Sequence, residues 1–411
     1  MDISLLPQVE NTPVQNSAIE SISAPNFSGE HNMGHVKLGR LTTHVIAGSG
    51  EFIFPLQEKH VHGSSIVECP NGDLLVCWFY GSGEREANDV RIRGARLKPN
   101  SAVWSPVFEM ADTPNLPDCN PVLFIDPEEK LWLFWIVVQA QRWENSILKV
   151  RTSTNYQQDG PPDWDWQDII LLQPGEEFAQ VLADGLDALN PANPLWSGYA
   201  PKYIDLIAEA AHDAGKRQTG WMTRIHPRVL SCGRFLLPLY SDGFNISLVA
   251  LSDDRGTTWR ASEPIVGLGN VQPSLVQRKN GDIVAFMRDN GGSPNRVQTS
   301  VSRDRGETWT LAQDTTIPNP GSSVEVIALK SGTWLLVGND TEEGRHRLAV
   351  YLSFDEGAAW QLEEYLEKAT PEEGGEYSYP SVLQTDDGSI HVTYSYRAED
   401  KETIKHVTFR E

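Results

Sequence analysis

Three stretches, SDDRGTTW (252–259), SRDRGETW (302–309) and SFDEGAAW (353–360), decide how this chain is read. Each follows the pattern S-x-D-x-G-x-T-W, with Ala359 in place of the threonine in the third copy. Their tryptophans stand at 259, 309 and 360, so the unit recurs after 50 and then 51 residues. The box reads as a turn. Its aspartate caps backbone amides, its glycine takes a left-handed conformation, and its tryptophan packs between strands.

A second series runs at the same period. IVECPNGDLLVCWF, VLSCGRFLLPLY, SLVQRKNGDIVAFM, VIALKSGTWLLVG and SVLQTDDGSIHVTY each set a polar glycine turn between two apolar runs, and VLFIDPEEKLWLFWIV (122–137) is a sixth member without glycine. Each predicts a β-hairpin. Six hairpins, each followed by a further strand, predict six four-stranded blades, and units of about 40–50 residues built from short strands indicate a propeller. The expected fold class is all-β, a six-bladed β-propeller with a short helical insertion. The last unit ends at TIKHVTFRE after three strands, so a strand within 36–47 is expected to close a ring spanning 36–411. Residues 1–35 are polar and patternless and read as a flexible tail. Segment 173–222 interrupts the spacing; FAQVLADGLDAL and YIDLIAEAAHDAGK carry helical periodicity and predict two short helices between blades.

The 411 residues include 39% apolar and 22% charged positions with 33 Gly and 26 Pro, a turn-rich globular composition. No apolar run approaches the roughly 18 residues of a spanning helix. The N-terminus lacks the basic and apolar regions of a secretory signal, and Cys69, Cys77, Cys119 and Cys232 show no CxxC spacing, which points to a cytoplasmic protein. A formal charge of −22 repels nucleic acid and anionic membrane, although a few converging arginines override that field locally for a small anion. The expected partner is a carbohydrate, with no nucleic acid and no membrane; oligomeric state leaves no mark. No cofactor is called for, and the pair His60-x-His62 without a third ligand makes a weak metal site.

The S-x-D-x-G-x-T-W box resembles the Asp-box (BNR) repeat of the sialidase superfamily, and the resemblance runs from about residue 36 to the end. It implies boxes on the rim and an active site around the axis. In that family three arginines grip a carboxylate, a tyrosine attacks, a glutamate polarises the tyrosine, and an aspartate serves as acid/base. By position the resemblance assigns the second arginine to Arg288 and the third to Arg345, with Arg347 as rival. It assigns the nucleophile to Tyr377, with Tyr379 as the packing neighbour, and the acid/base to Asp89. Two positions depart from the family. KHVHGSSIV offers His60 and His62 where the first arginine belongs, and NVQPSLV offers Gln272 where the glutamate belongs. A tyrosine needs a neighbouring base to attack at neutral pH, so Tyr377 reads instead as a substrate-contacting or proton-donating group.

Equivalent blade positions near the axis carry charged, amide or aromatic groups, a mixture that suits sugars. Asp89, Tyr377, Glu144 and His62 are the expected catalytic residues. His60, Arg85, Asn120, Trp143, Arg224, His226, Tyr240, Asp242, Gln272, Arg288, Asn339, Arg345 and Tyr379 are expected to contact substrate. Glycoside hydrolysis needs two flanking carboxyls, Asp89 as acid/base with Glu144 or Asp242 as the second. A lyase would use His60 or His62 as base, Arg288 to neutralise a uronate carboxylate, and Tyr377 as proton donor. The leading reading is a glycoside hydrolase on an acidic or highly hydroxylated glycan. The alternatives are a polysaccharide lyase, a non-catalytic glycan- or protein-binding propeller, and a true exo-sialidase.

Overall fold

The computed structural model describes residues 50–189 and 200–411. The tail expected over 1–35 and the closing strand expected over 36–47 lie outside the described residues. Within them, β1 (Glu51–Phe52) pairs antiparallel with the last strand, β25 (Lys401–Arg410), placing an N-terminal strand in the last blade.

Each expected hairpin forms the inner pair of an antiparallel sheet. Blade 1 comprises β2 (His60–Glu68), β3 (Leu74–Gly81), β4 (Arg91–Leu97) and β5 (Phe108–Ala111). Blade 2 comprises β6 (Asp118–Ile125), β7 (Leu131–Val138), β8 (Ser146–Ser153) and β9 (Trp166–Ile169). In blade 3 the innermost strand is broken into β10 (Met222–Thr223) and β11 (Arg228–Val229), both paired with β12 (Phe235–Ser241), followed by β13 (Ile246–Ser252) and β14 (Arg260–Ala261). Blade 4 is β15 (Asn270–Gln277), β16 (Ile283–Asp289), β17 (Arg296–Ser302) and β18 (Gln313–Pro318). Blade 5 is β19 (Glu325–Ala328), β20 (Trp334–Asn339), β21 (Arg347–Ser353) and β22 (Gln361–Lys368). Blade 6 is β23 (Glu376–Gln384), β24 (Ser389–Ala398), β25 and β1. Inner strands touch in sequence around the ring: β2 with β6, β6 with β10, β12 with β15, β15 with β19, β19 with β23, and β23 with β2. The six blades form a propeller.

The strand pattern explains this layering. β7 and β12 are buried at every position, so continuous apolar runs such as LWLFWIVV suit a sheet covered on both faces by neighbouring blades. Trp78, Trp135 and Trp334 are fully buried there; each withdraws about 200 Å² from water, worth roughly 5 kcal/mol before entropy is counted.

The boxes clamp neighbouring blades. Asp254 accepts the Thr258 amide at 2.8 Å and the Thr258 hydroxyl at 2.7 Å, while Ser252 donates to Asp254 and accepts from Gly256. Ala359 keeps the amide bond to Asp355, 2.9 Å, but has no hydroxyl to add a second. Trp259 then meets Phe134 of blade 2 edge-on at 6.1 Å, and Trp360 meets Phe286 of blade 4 at 5.4 Å. Gly256 sits at φ +83, where an added Cβ would lie 2.5 Å from the Trp132 ring. Gly256→Ala is therefore expected to cost about 3 kcal/mol, combining left-handed strain with a clash in a packed interface. A thermal or denaturant melt measures this, and an unchanged midpoint would remove the clamp from the account.

The insertion holds α1 (Glu177–Leu189), α2 (Ala200–His212) and the single turn α3 (Ala214–Arg217), which Asp213 caps through the Gly215 and Lys216 amides. α1 buries Phe178, Leu182 and Leu186, and Gly185 lets it approach Val266 closely. Phe178, Trp221 and Phe244 form an aromatic cluster that pins the insertion to blade 3.

Candidate active site

Four innermost strands share one irregularity. Their pairing shifts between His62 and Ser65, Cys119 and Val122, Val271 and Ser274, and Ser378 and Ser381. The first residue inside each bulge is left-handed: Gly63 (φ 64), Asn120 (φ 50), Gln272 (φ 56) and Tyr379 (φ 56). A bulge re-aims a side chain, and bulky residues in this conformation cost of order 1–3 kcal/mol each, so they cluster at functional sites. Here Asn120, Gln272 and Tyr379 turn into one axial cavity of 340 Å³, joined by His62, Glu84, Trp143, Tyr240, Asp242, Arg288, Asn290 and Arg345.

The cavity is tightly bonded. Tyr379 Oη accepts from Arg288 Nη1 at 2.9 Å and from Gln272 Nε2 at 3.1 Å. Gln272 and Asn120 also donate to Tyr240 Oη, at 3.3 and 3.0 Å. The Arg345 guanidinium lies 5.5 Å from the Tyr379 ring centroid, and His62 packs on the same ring at 4.1 Å. Among the described residues, Gln272 Oε1 and Arg288 Nε are buried without a partner. A ligand hydroxyl and a ligand carboxylate would satisfy them in turn.

Charge is arranged in opposed pairs. His60 bridges Glu402 (Nδ1–Oε2 2.9 Å) and Glu84 (Nε2–Oε1 3.2 Å). Burial works against its charge, but Glu402 and Glu84 outweigh it and raise the imidazole to about 9. Burial would raise Glu84 as well, yet the hydrogen bond and charge of His60, helped by Arg85 and Arg345, hold its carboxyl below the ordinary value. His62 is held neutral, well below the usual histidine range, by burial and by the positive His60, Arg345, Arg224 and Arg288. Asp242 moves the other way. It opens to the water of the cleft, yet the protein crowded around it raises its pKa; Arg288 and Arg85 oppose the rise and Glu144 and Glu84 assist it. A bound ligand that expels the water would strengthen that rise.

The His60 bridge has a pH signature. Its folded pKa lies above the unfolded value of about 6.5, so its stabilisation is complete below about pH 6.5 and disappears as pH rises through about 9. Melts of the wild type and His60→Gln should differ at pH 6 and converge above about pH 10. A difference that persists there would exclude the bridge as its source.

Nine expected residues meet at this cavity: His62, Asn120, Trp143, Tyr240, Asp242, Gln272, Arg288, Arg345 and Tyr379. The two tyrosines exchange places. Tyr377 lies before the bulge, packs on Tyr396 at 5.2 Å and is pushed up to about 12, mainly by burial, whereas Tyr379 reaches the axis. Asp89 does not line the cavity. Lys59 at 2.8 Å and Ser82 hold its carboxylate ionised far below the ordinary value, which unsuits it as a proton donor. Glu144 lies on a 3-10 turn (Trp143–Asn145) and faces an adjoining cavity. Arg85 stacks on Trp143 at 5.5 Å and pairs with Glu86 beside the site. Arg224 is buried and donates to the Ser64, Tyr379 and Pro380 carbonyls, so it braces two bulges instead of touching a ligand. His226 pairs with Glu325 at 2.6 Å outside the axial cavity. Asn339 donates to the Arg347 and Tyr377 carbonyls. His60 acts through Glu84 and does not line the cavity itself.

Glu84 and Asn290 are additional lining residues. The tyrosine exchange has a sequence signal. DCNPVL, NVQPSL and YSYPSV align on a proline, which puts Tyr379 in register with Gln272 and Asn120.

A family model described as a BNR repeat-like domain matches residues 72–185 and 218–392, and its break falls within the helical insertion. A sialidase of Bacteroides fragilis is 23% identical over 171 residues, which is 39% of this chain and 29% of that protein. The chain spans less than a third of the length of the curated relatives it matches. Among solved structures, a protein of unknown function from Dyadobacter fermentans superposes with a TM-score of 0.64 at 15% identity, covering 90% of this chain and 99% of that one. The NanB sialidase of Streptococcus pneumoniae superposes with a TM-score of 0.63 at 11% identity, covering 88% and 70%. At such identities the likeness is one of fold.

Proposed function

The chain belongs to the BNR repeat-like domain family, and on that premise we propose that it is a glycoside hydrolase acting on an acidic sugar of a glycan. One observation carries the reading. A single polar cavity holds two guanidinium groups and two carboxyls whose surroundings push them in opposite directions, Glu84 toward the carboxylate and Asp242 toward the acid. Opposed carboxyls are how a fold divides acid from base.

In this reading Arg345 and the free Arg288 Nε grip the sugar carboxylate, and Gln272 Oε1 accepts a ring hydroxyl. Asp242 gives its proton to the glycosidic oxygen as the bond to the anomeric carbon breaks. Glu84 takes a proton from the water that adds to that carbon. The products are a hemiacetal sugar and a free hydroxyl on the leaving part. Gln272 supplies no base for Tyr379, so the tyrosine positions Arg288 and the nucleophile role passes to water.

The pH dependence follows. Activity needs Glu84 ionised and Asp242 protonated, so rate should rise with pH through the lowered Glu84 value and fall as Asp242 deprotonates. The expected profile is a bell on the acidic side of neutrality. A flat profile, or one rising toward alkaline pH, would contradict this pairing.

One observation favours a second reading. The neutral His62 sits against Tyr379 with Arg345 close by, a base, a proton donor and a cation that suit β-elimination next to a uronate carboxylate. Chromogenic aryl glycosides of uronic and sialic acids test the hydrolase reading. Release of the aryl group with an intact saturated sugar supports it, and an unsaturated sugar product from a 4-linked uronate oligosaccharide, in which the C4 oxygen is the leaving group, would transfer the chemistry to His62.

A further inference from the structure

The axial cavity, 340 Å³, stands at the small end of the 300–1,000 Å³ range of ligand sites, room for one sugar with its anion but not for a chain. A second cavity of 670 Å³ adjoins it, and Asp242 lines both. The wall between them is the 3-10 turn, whose Trp143 faces the axis while Arg142 and Glu144 face the second cavity. The far side is the helical insertion, through Lys216 and Thr219.

That wall is built by close packing. Gly220, at φ +77, closes the insertion against the Glu144 backbone, where an added Cβ would lie 2.5 Å from the carbonyl oxygen. Its amide donates to the Ser146 carbonyl at 3.1 Å, and Gly243 makes room for the Glu144 side chain from the blade 3 loop. The groups presented there are hydrogen-bonding ones. Among the described residues the exposed Lys216 ammonium carries no ion pair, and the Thr219 hydroxyl donates to Gly215 and keeps its acceptor capacity.

We propose that this cavity is a second sugar subsite, holding the hydroxyl-rich units beyond the bond that is cut, so that the substrate is an oligosaccharide or polysaccharide chain. The inference rests on the glycosidase reading of the axial cavity and adds the class of its substrate. Its strongest support is the position of Asp242. A general acid must reach the oxygen joining the two sugars, and among the described residues Asp242 alone lines both cavities. The insertion thereby gains a role, since without it the second cavity would have no outer wall.

The test uses the full chain with Asp242→Asn, which binds without turnover, on an array of acidic glycans graded from single capped sugars to hexasaccharides. Binding is expected to strengthen about tenfold or more from one sugar to three. Lys216→Glu, and separately Thr219→Trp, which fills the cavity without altering charge, should reduce long-glycan binding to the single-sugar level and leave single-sugar binding unchanged. Equal binding at all lengths, or variants that weaken all lengths alike, would overturn the subsite. Length-dependent binding by a protein whose wild type cleaves none of the bound glycans would keep the subsite and retire the hydrolase reading. No binding to any glycan would retire both.

Discussion

Asp242→Asn is expected to lower kcat on natural glycans by about 100- to 10,000-fold while the free acidic sugar binds nearly as before. Amide for carboxyl preserves the volume and the contacts with the cleft but removes the transferable proton. The loss should depend on what leaves. A sugar alkoxide needs the proton, so the full effect appears there. A nitrophenolate leaves without help, so the same variant should recover most of its rate on a nitrophenyl glycoside. Glu84→Gln should instead slow both substrates alike, because both need the attacking water activated. A residue that merely supported the loop would depress the two substrates together and weaken binding. Steady-state kinetics on the two leaving groups separates these outcomes, and a uniform loss in Asp242→Asn would remove it as the acid.

Arg345→Ala should raise KM for an acidic substrate by about 30-fold or more, since removing one partner of a hydrogen-bonded charge pair costs roughly 2–5 kcal/mol. Its guanidinium borders the cavity beside Tyr379 and, among the described residues, makes one hydrogen bond, to the Gly321 carbonyl at 3.2 Å, so most of its donors remain for a ligand. Arg345→Lys should recover only part of the affinity, because an ammonium cannot offer a planar fork to a carboxylate. The control is a substrate whose carboxylate is reduced to an alcohol. Wild type should bind it poorly, and Arg345→Ala should then make little further difference. Equal losses on the acidic and neutral sugars would mean that Arg345 shapes the cavity without reading charge.

The propeller was legible because its signals are local and repeated. A box turn needs Asp, Gly and Trp at fixed spacing, and each hairpin needs its own apolar runs and turn, so SDDRGTTW and its relatives state the blade period within eight residues. The axial residues were legible by blade position but not by side-chain direction. Strand alternation alone gives Tyr377 and Tyr379 the same face; the left-handed bulge at Tyr379 separates them, and bulges escape a period-of-two reading. Asp89 and Glu84 stand five positions apart in one loop, and nothing local shows that Lys59 claims the first and His60 the second. Glu402 was invisible for a different reason. It reaches His60 only because the ring closes, bringing together residues from the two ends of the propeller.

The most direct test of the whole account is digestion of acidic oligosaccharides by the wild type and by Asp242→Asn, read both as new reducing ends and as ultraviolet absorbance of a conjugated double bond. The wild type should give reducing ends without absorbance, and the variant neither signal. Absorbance that appears with cleavage and persists in Asp242→Asn would contradict it.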